Sequence, residues 1–460
     1  MSPTTPDGAA LRRTAPAAPV RHVHLGLGNF FRAHQAWYTH RAADAGDWGI
    51  AAFTGRSPDL AVTMAAQDGL YTLDTRGRDG DHFEVVRSVV AAHAATDHGA
   101  WLRYLADPGV GIVTSTVTEA GYLRGADGGL DETRPAVQAE VRALRDDPTA
   151  GVRTAPGRLV AGLLARRRAD AGPISVIPCD NLPENGAVVA RVTRRFAELV
   201  DPSLVGWLDG NVGWVTTMVD RITPEPTEAD RALIRAETGV DDRAPVVTEP
   251  FSEWVLSGEL AAGSPGWAGA GAVVTDDIHP FEARKLGLLN GAHSLLAYAG
   301  PLRGHATVAE AVADDTCRGW VEEWWDEAST HLTLPAADVA AYRTALLERF
   351  GNPAIRHRLE QIAADGSQKV PVRILPTVRL ERAAGRMPDG AARALAAWVL
   401  HLRGDGCAVT DPGAAGLVQQ VSGPLPTAVH RVLSGLDGSL ADDDALVAAV
   451  IEHAQALSRR

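Results

Sequence analysis

Lysine is almost missing from this chain: of its 44 Lys and Arg residues only Lys285 and Lys369 are lysine. Arginine serves for surface charge and ion pairs but keeps its proton near neutral pH, whereas a buried lysine can release one. The two exceptions are therefore marked as positions where deprotonation is required, although a plain bias toward arginine would leave the same remnant. Cysteine is scarce too. The three present, Cys179, Cys317 and Cys407, lie far apart, which excludes a disulfide framework and paired zinc ligands, so no bound metal and a reducing cytoplasm are expected. A formal charge of −13 with no basic tract argues against a nucleic-acid partner. No apolar run is long enough to span a membrane. Residues 1–19, rich in Pro, Ala and Thr, lack the apolar stretch of a signal peptide and read as a frayed tail. The expectation is a monomer or weak oligomer whose partner is a small molecule.

The chain has 460 residues, enough for two domains with separate cores. From Val20 to about Thr275, short β-rich runs alternate with helical stretches: Val23–Leu25, Trp48–Phe53, Gly111–Val117, Ile174–Pro178, Val212–Val219 and Ala272–Thr275. This alternation predicts an α/β fold, a parallel sheet covered by helices on both faces. Arg124 to Arg158, charged and rich in Gly and Pro, reads as a surface excursion. Beyond it, residues 276–460 carry helical patterns such as Phe281–Tyr298, Thr307–Ala328 and Ala336–Phe350, and a mostly α-helical second domain is expected.

The first strand runs into Gly26-Leu27-Gly28-Asn29-Phe30-Phe31-Arg32-Ala33-His34. Gly26 and Gly28 permit a tight turn and close approach of a pyrophosphate to a helix N-terminus. The third glycine of the usual fingerprint is absent, and Arg32 stands near its place with donors for the pyrophosphate. A plain strand-to-helix turn would look similar. After the second strand, Asp59 is placed to accept from the adenosine ribose and favour NAD, while the nearby Arg56 would welcome a 2′-phosphate.

In Phe281-Glu282-Ala283-Arg284-Lys285-Leu286-Gly287-Leu288-Leu289-Asn290-Gly291-Ala292-His293, a helix places Lys285, Asn290 and His293 within an arc of roughly 140°. Three polar groups among leucines need a ligand or each other, since burial without partners costs about 1–3 kcal/mol each. Two strand ends add Asn181 and Asp220, either of which could equally cap a turn. None of the six tyrosines is followed by lysine four residues later, and no Cys and His spacing suits catalytic zinc.

Lys285-x4-Asn290-x2-His293, the Gly26–His34 segment, Thr116-Val117-Thr118-Glu119, Cys179-Asp180-Asn181 and Val219-Asp220-Arg221-Ile222 together resemble the mannitol dehydrogenase family of long-chain polyol dehydrogenases, from Val20 to roughly Leu402. The resemblance implies a Rossmann-like domain over 20–275, a helical domain over 276–460, and a cleft between them for metal-independent hydride transfer with NAD. It makes Lys285 the base, with Asn181 and Asn290 holding the reacting oxygen. Asp220, His293 and Lys369 would position substrate hydroxyls, and Glu282 would gate proton exit. Gly26, Gly28, Phe30, Arg32, Asp59, Thr116 and Thr118 would serve the cofactor. Gln361 stands where mannitol-oxidising members tend to carry Arg, and Asn352-Pro353 with the run Arg356–Lys369 looks more like the fructuronate reductase (mannonate oxidoreductase) branch. A uronate carboxylate calls for cations, for which Arg358, Lys369 and Arg373 are candidates. Mannitol/fructose and mannitol 1-phosphate are the alternative substrates, and a non-catalytic NAD sensor is the alternative of another class.

Overall fold

Runs of Val, Ile and Ala without polar alternation suit strands buried on both faces. Six strands form one sheet: Val20–Leu25 (β1), Gly49–Phe53 (β2), Val89–His93 (β3), Ile112–Ser115 (β4), Ile174–Pro178 (β5) and Val212–Trp214 (β6). Their spatial order is β3-β2-β1-β4-β5-β6, and every neighbouring pair is parallel. The computed structural model describes residues 9–125 and 127–459; this sheet belongs to a compact unit ending at Ile278, and a second unit begins at His279. The strand order reverses at β1 and β4, which opens a crevice beyond their carboxyl ends.

Alternation along each strand feeds two layers of core. Val23, Leu25, Phe53, Val113 and Val176 pack with Trp101, Leu159, Leu163 and Phe196. Ile50 and Ala52 pack instead with Phe31, Tyr71 and Val246, and Ile112 and Ile177 with Tyr38, Trp254 and Trp267. Each large side chain so buried contributes about 1.5–3 kcal/mol.

Several expectations need correction. Residues 1–8 lie outside the described residues, but the rest of the expected tail is ordered: Ala9–Ala10 pairs with Val240–Asp241, Leu11 is buried, and the Arg13 guanidinium donates to the carbonyls of Asp68 (2.8 Å) and Arg87 (2.7 Å). The supposed excursion from Arg124 to Arg158 contains the helix Pro135–Asp146, which buries Val137, Val141 and Leu144 at helical spacing. Val212–Val219 is two strands, β6 and Thr216–Asp220, and the second pairs antiparallel with Glu253–Ser257 in a different sheet. The hairpin Tyr71–Gly77/Gly80–Val86 and β3, whose apolar run Val89–Ala92 is short, were not anticipated.

The second unit is helical. At its centre Gly291–Leu302 is buried at every position from Gly291 to Gly300, as expected of a helix apolar all round, and it packs against Asp315–Ser329, Leu359–Ala363 and Asp389–Leu402. The expected single helix Thr307–Ala328 is broken at Asp314, which caps Asp315–Ser329 by accepting from the Thr316 amide. Among the described residues, no helix is long and apolar enough to cross a membrane.

Candidate active site

Beyond β1 and β4 the first unit holds a cavity of about 900 Å³ lined by Gly26, Gly55, Arg56, Thr96, Thr116, Thr118 and, further along, Arg153 and Arg158. Its glycine is there for steric reasons. Gly26 has φ +116°, and a Cβ on it would lie 2.6 Å from Thr116 Oγ1 and 2.7 Å from the Thr116 carbonyl oxygen. The Gly26 and Leu27 amides both donate to the Phe53 carbonyl at 2.9 and 2.8 Å, tying the turn to the end of β2. Thr116 Oγ1 donates to the Gly26 carbonyl at 2.9 Å. Cationic lining, a close-approach glycine and a position at the switch of strand order fit a dinucleotide.

The nucleotide-binding residues expected from sequence are only partly brought together. Gly26, Thr116 and Thr118 line the cavity, as does Arg56. Gly28 precedes the helix Asn29–Ala33 as its N-cap, but that helix has five residues and is separated by His34 from Gln35–Arg41, so the helical stretch after the turn is two short helices. Phe30 stacks on His34 with ring centroids 5.0 Å apart. Arg32 does not present its donors to the cavity. Its side chain is buried over the Tyr71 ring and donates to the Ala244 carbonyl, the Gly28 carbonyl (3.3 Å) and Asn29 Oδ1 (2.5 Å). Asp59 is exposed and accepts from the Ser57 hydroxyl at 2.6 Å; it is not among the residues around the cavity, whereas Arg56 is.

At the end of β5, Asn181 is exposed, and the neighbouring Asp180 is buried. Burial pushes the Asp180 carboxyl up to about 6, although the Tyr122 hydroxyl donates to it at 2.5 Å and the Leu182 amide at 3.0 Å. Sequence reasoning had singled out Asn181 and missed this acid; its Tyr122 partner is 58 residues away. Asp220 is buried at the end of its strand, opposite Glu253. Cys179 is buried and its thiol is pushed up, mainly by burial, which suits a structural role.

In the second unit, Glu282, Lys285 and His293 are all buried, but the segment is not the uninterrupted α-helix expected. His279–Arg284 is α-helical, Lys285–Asn290 is a π-helix in which the Gly291 amide donates to the Leu286 carbonyl, and Gly291 resumes the α-helix. His293 lies against Phe350 and His357, with ring centroids at 4.8 and 5.0 Å. Its pKa is held well below 6.5, first by burial and then by the positive charges of Arg349, Arg373 and Lys285 beside His357. Burial, with Arg349 and Lys369, likewise lowers His357 to about 4. Both rings are thus neutral at pH 7, and His293 Nε2 and His357 Nδ1 have no partner among the described residues. Arg349, which no motif had picked out, is buried in this group.

Arg373 donates to Ser294 Oγ at 3.4 Å, and Lys369 Nζ to the carbonyls of Ile362 (3.1 Å) and Ala364 (2.5 Å). Arg358 departs from its expected role: its side chain is 59% exposed and pairs with Glu360 at 2.8 Å. Elsewhere in this unit, His305, Asp314 and Cys317 are close enough together to hold a metal ion, but Arg303 bonds Asp314 at 2.6 Å.

Residues 20–269 match the family model of the mannitol dehydrogenase Rossmann domain, and residues 277–458 that of the mannitol dehydrogenase C-terminal domain. D-arabinitol 4-dehydrogenase of Ralstonia nicotianae is 38% identical, over 95% of this chain and 96% of its own length. D-mannonate oxidoreductase of Escherichia coli is 37% identical, over 92% of this chain and 89% of its own. The Pseudomonas fluorescens mannitol 2-dehydrogenase, solved in ternary complex with NAD and D-mannitol, is 33% identical and superposes with a TM-score of 0.83 over 99% of this chain and 95% of that one. With a Rossmann-type crevice in one unit and a buried lysine and histidine in the other, the chain belongs to the mannitol dehydrogenase family, NAD-dependent oxidoreductases acting on the CH–OH groups of polyols and sugar acids.

Proposed function

We propose that this dehydrogenase interconverts D-mannonate and D-fructuronate, with Lys285 as its base. The observation that carries the substrate class is the set of cations around His293: Arg349 and Arg373 act on its ring, and Arg349 and Lys369 act on the adjoining His357. Guanidinium and ammonium donors beside two neutral imidazoles suit a sugar carboxylate better than a neutral polyol. The likeness to a D-mannonate oxidoreductase points the same way.

Gly26, Arg56, Thr116 and Thr118 would hold NAD⁺, which would supply the hydride acceptor for the carbinol carbon. Lys285 Nζ takes the hydroxyl proton of the same carbon, which requires its neutral form. The Asn290 carboxamide N–H then supports the developing oxyanion. Glu282 stands three residues before Lys285, the spacing that places two side chains on one helix face, and relays the proton outward. Neutral His293 offers its unpartnered Nε2 to a substrate hydroxyl, and Arg373 and Lys369 face the carboxylate. Family likeness gives Asn181 and Asp220 supporting contacts to the reacting oxygen and a second hydroxyl. A cytoplasmic location goes with this reading.

NADH oxidation measured with D-fructuronate, D-fructose and D-fructose 6-phosphate tests the proposal. The uronate is expected to give a kcat/KM at least about tenfold above the others, equivalent to about 1.4 kcal/mol of selective binding. Preference for fructose would replace it with the neutral-polyol reading.

A further inference from the structure

Two adjacent tryptophans on Asp315–Ser329 hydrogen-bond to the segment that bears Lys285. Trp324 Nε1 donates to the Gly287 carbonyl and Trp325 Nε1 to the Leu288 carbonyl, both at 2.8 Å. Both rings are fully buried. The carbonyls they reach are consecutive and lie inside the π-helix Lys285–Asn290. A π-turn inserts one residue into a helix and disturbs the regular ladder, which leaves its carbonyls open to donors from other elements. Here two indoles supply such donors, and the fit is tight: a Cβ on Gly291, the residue that closes the π-turn, would collide with the Trp324 ring.

The wider turn changes which side chains share a face. In a continuous α-helix Lys285 and Asn290 would diverge by roughly 140°. A turn that closes at the fifth residue returns Asn290 to the side of Lys285. We infer that Trp324 and Trp325 are positioning residues that hold the π-turn open and so set Lys285 and Asn290 side by side. The inference rests on the reading of Lys285 as the base. Neither tryptophan is a catalytic residue in this account; both act through the backbone between Lys285 and Asn290.

The near-absence of lysine supplies a direct readout, because ¹⁵N-lysine labelling of the full chain yields signals from Lys285 and Lys369 alone. Wild type is compared with Trp324→Phe, Trp325→Phe, Lys285→Met and a control, Trp320→Phe. Trp320 lies on the same helix but stacks under Arg303 and Arg393. The two test variants are expected to move the titration of the Lys285 signal by about half a pH unit or more. They should also lower kcat about tenfold or more with D-fructuronate or D-fructose, whichever is turned over. The Lys369 signal, KM for NADH and cooperative melting should stay as in wild type, as should every property of Trp320→Phe.

If a phenyl ring unfolds the helix, benzothienylalanine at position 324 or 325 removes the N–H and keeps the ring volume. A Lys285 titration and a kcat within twofold of wild type in the folded variants would overturn the inference. Full turnover by Lys285→Met would instead overturn the reading of Lys285 as base, and the Lys285 signal would then decide the positioning claim by itself.

Discussion

Gly26 shows how a single residue type can be fixed by its surroundings. Its positive φ is disfavoured for any side chain, and the space a Cβ would need is filled by Thr116. Gly26→Ala is expected to destabilise the fold by more than about 1 kcal/mol and to abolish NADH fluorescence enhancement, measured by denaturant melting and titration; wild-type NADH affinity would show that the turn tolerates the methyl. The sequence made Gly26 legible because a glycine at the end of an apolar strand is a local pattern. Arg32 was misread for the opposite reason. Its spacing suited a pyrophosphate, but its guanidinium bonds the carbonyl of Ala244, 212 residues away. Nothing local announces so distant an acceptor. Arg349 was missed likewise, since it sits in an ordinary helix and gains meaning only from the histidines near it.

At the scale of elements, an arginine and a pair of histidines bind segments together. Arg166, near the end of Ala155–Ala169, donates to the carbonyls of Leu105, Asp107, Ala171, Gly172 and Pro173 at 2.8–3.2 Å. These lie in the segments that lead into β4 and β5. A lysine keeps the charge but not the planar fork of donors. Arg166→Lys should therefore cost about 2–4 kcal/mol in urea melts, from buried carbonyls left unmet, and a loss below 0.5 kcal/mol would contradict this account. On β1, His22 and His24 share one side and both meet Thr114 Oγ1 of β4, at 2.6 and 2.8 Å. Burial holds His22 at about 3 and His24 well below 6.5.

As pH falls through 6.5, the unfolded chain takes up protons that the folded one refuses, so stability is complete above pH 6.5 and declines from there toward pH 3. His293 and His357 add to the decline. Asp180, raised to about 6, and Glu327, raised to about 7, oppose it, because their folded forms bind protons more readily. With eight imidazoles lowered, His40, His98, His401 and His453 among them, against three carboxyls raised, Asp74 being the third, the melting temperature should drop between pH 7 and pH 5, and His22→Asn should flatten the slope. A melting temperature that rises on acidification would refute the assignment.

The whole molecule divides its labour. Every residue found around the cavity of the first unit precedes Ile278, and Lys285, the proposed base, follows it with His293 and His357. Lys285→Met should therefore reduce kcat by about 10²–10⁴-fold and leave the NADH dissociation constant within about twofold, read by fluorescence titration. A loss of NADH binding equal to the loss of turnover would show that the lysine serves the nucleotide half instead.

The sequence alone determined the parallel α/β unit, the helical unit, the glycine turn and the family, since these rest on periodicity and on motifs contiguous in the chain. Only the tertiary structure decided that Lys285 begins a π-helix, that Arg32 is bound to backbone, and that Arg349 joins the charges around His293. The physical reason is range. Propensity and spacing act over a few residues, whereas a π-turn, a buried guanidinium and a shifted imidazole are set by groups that folding brings in from elsewhere in the chain.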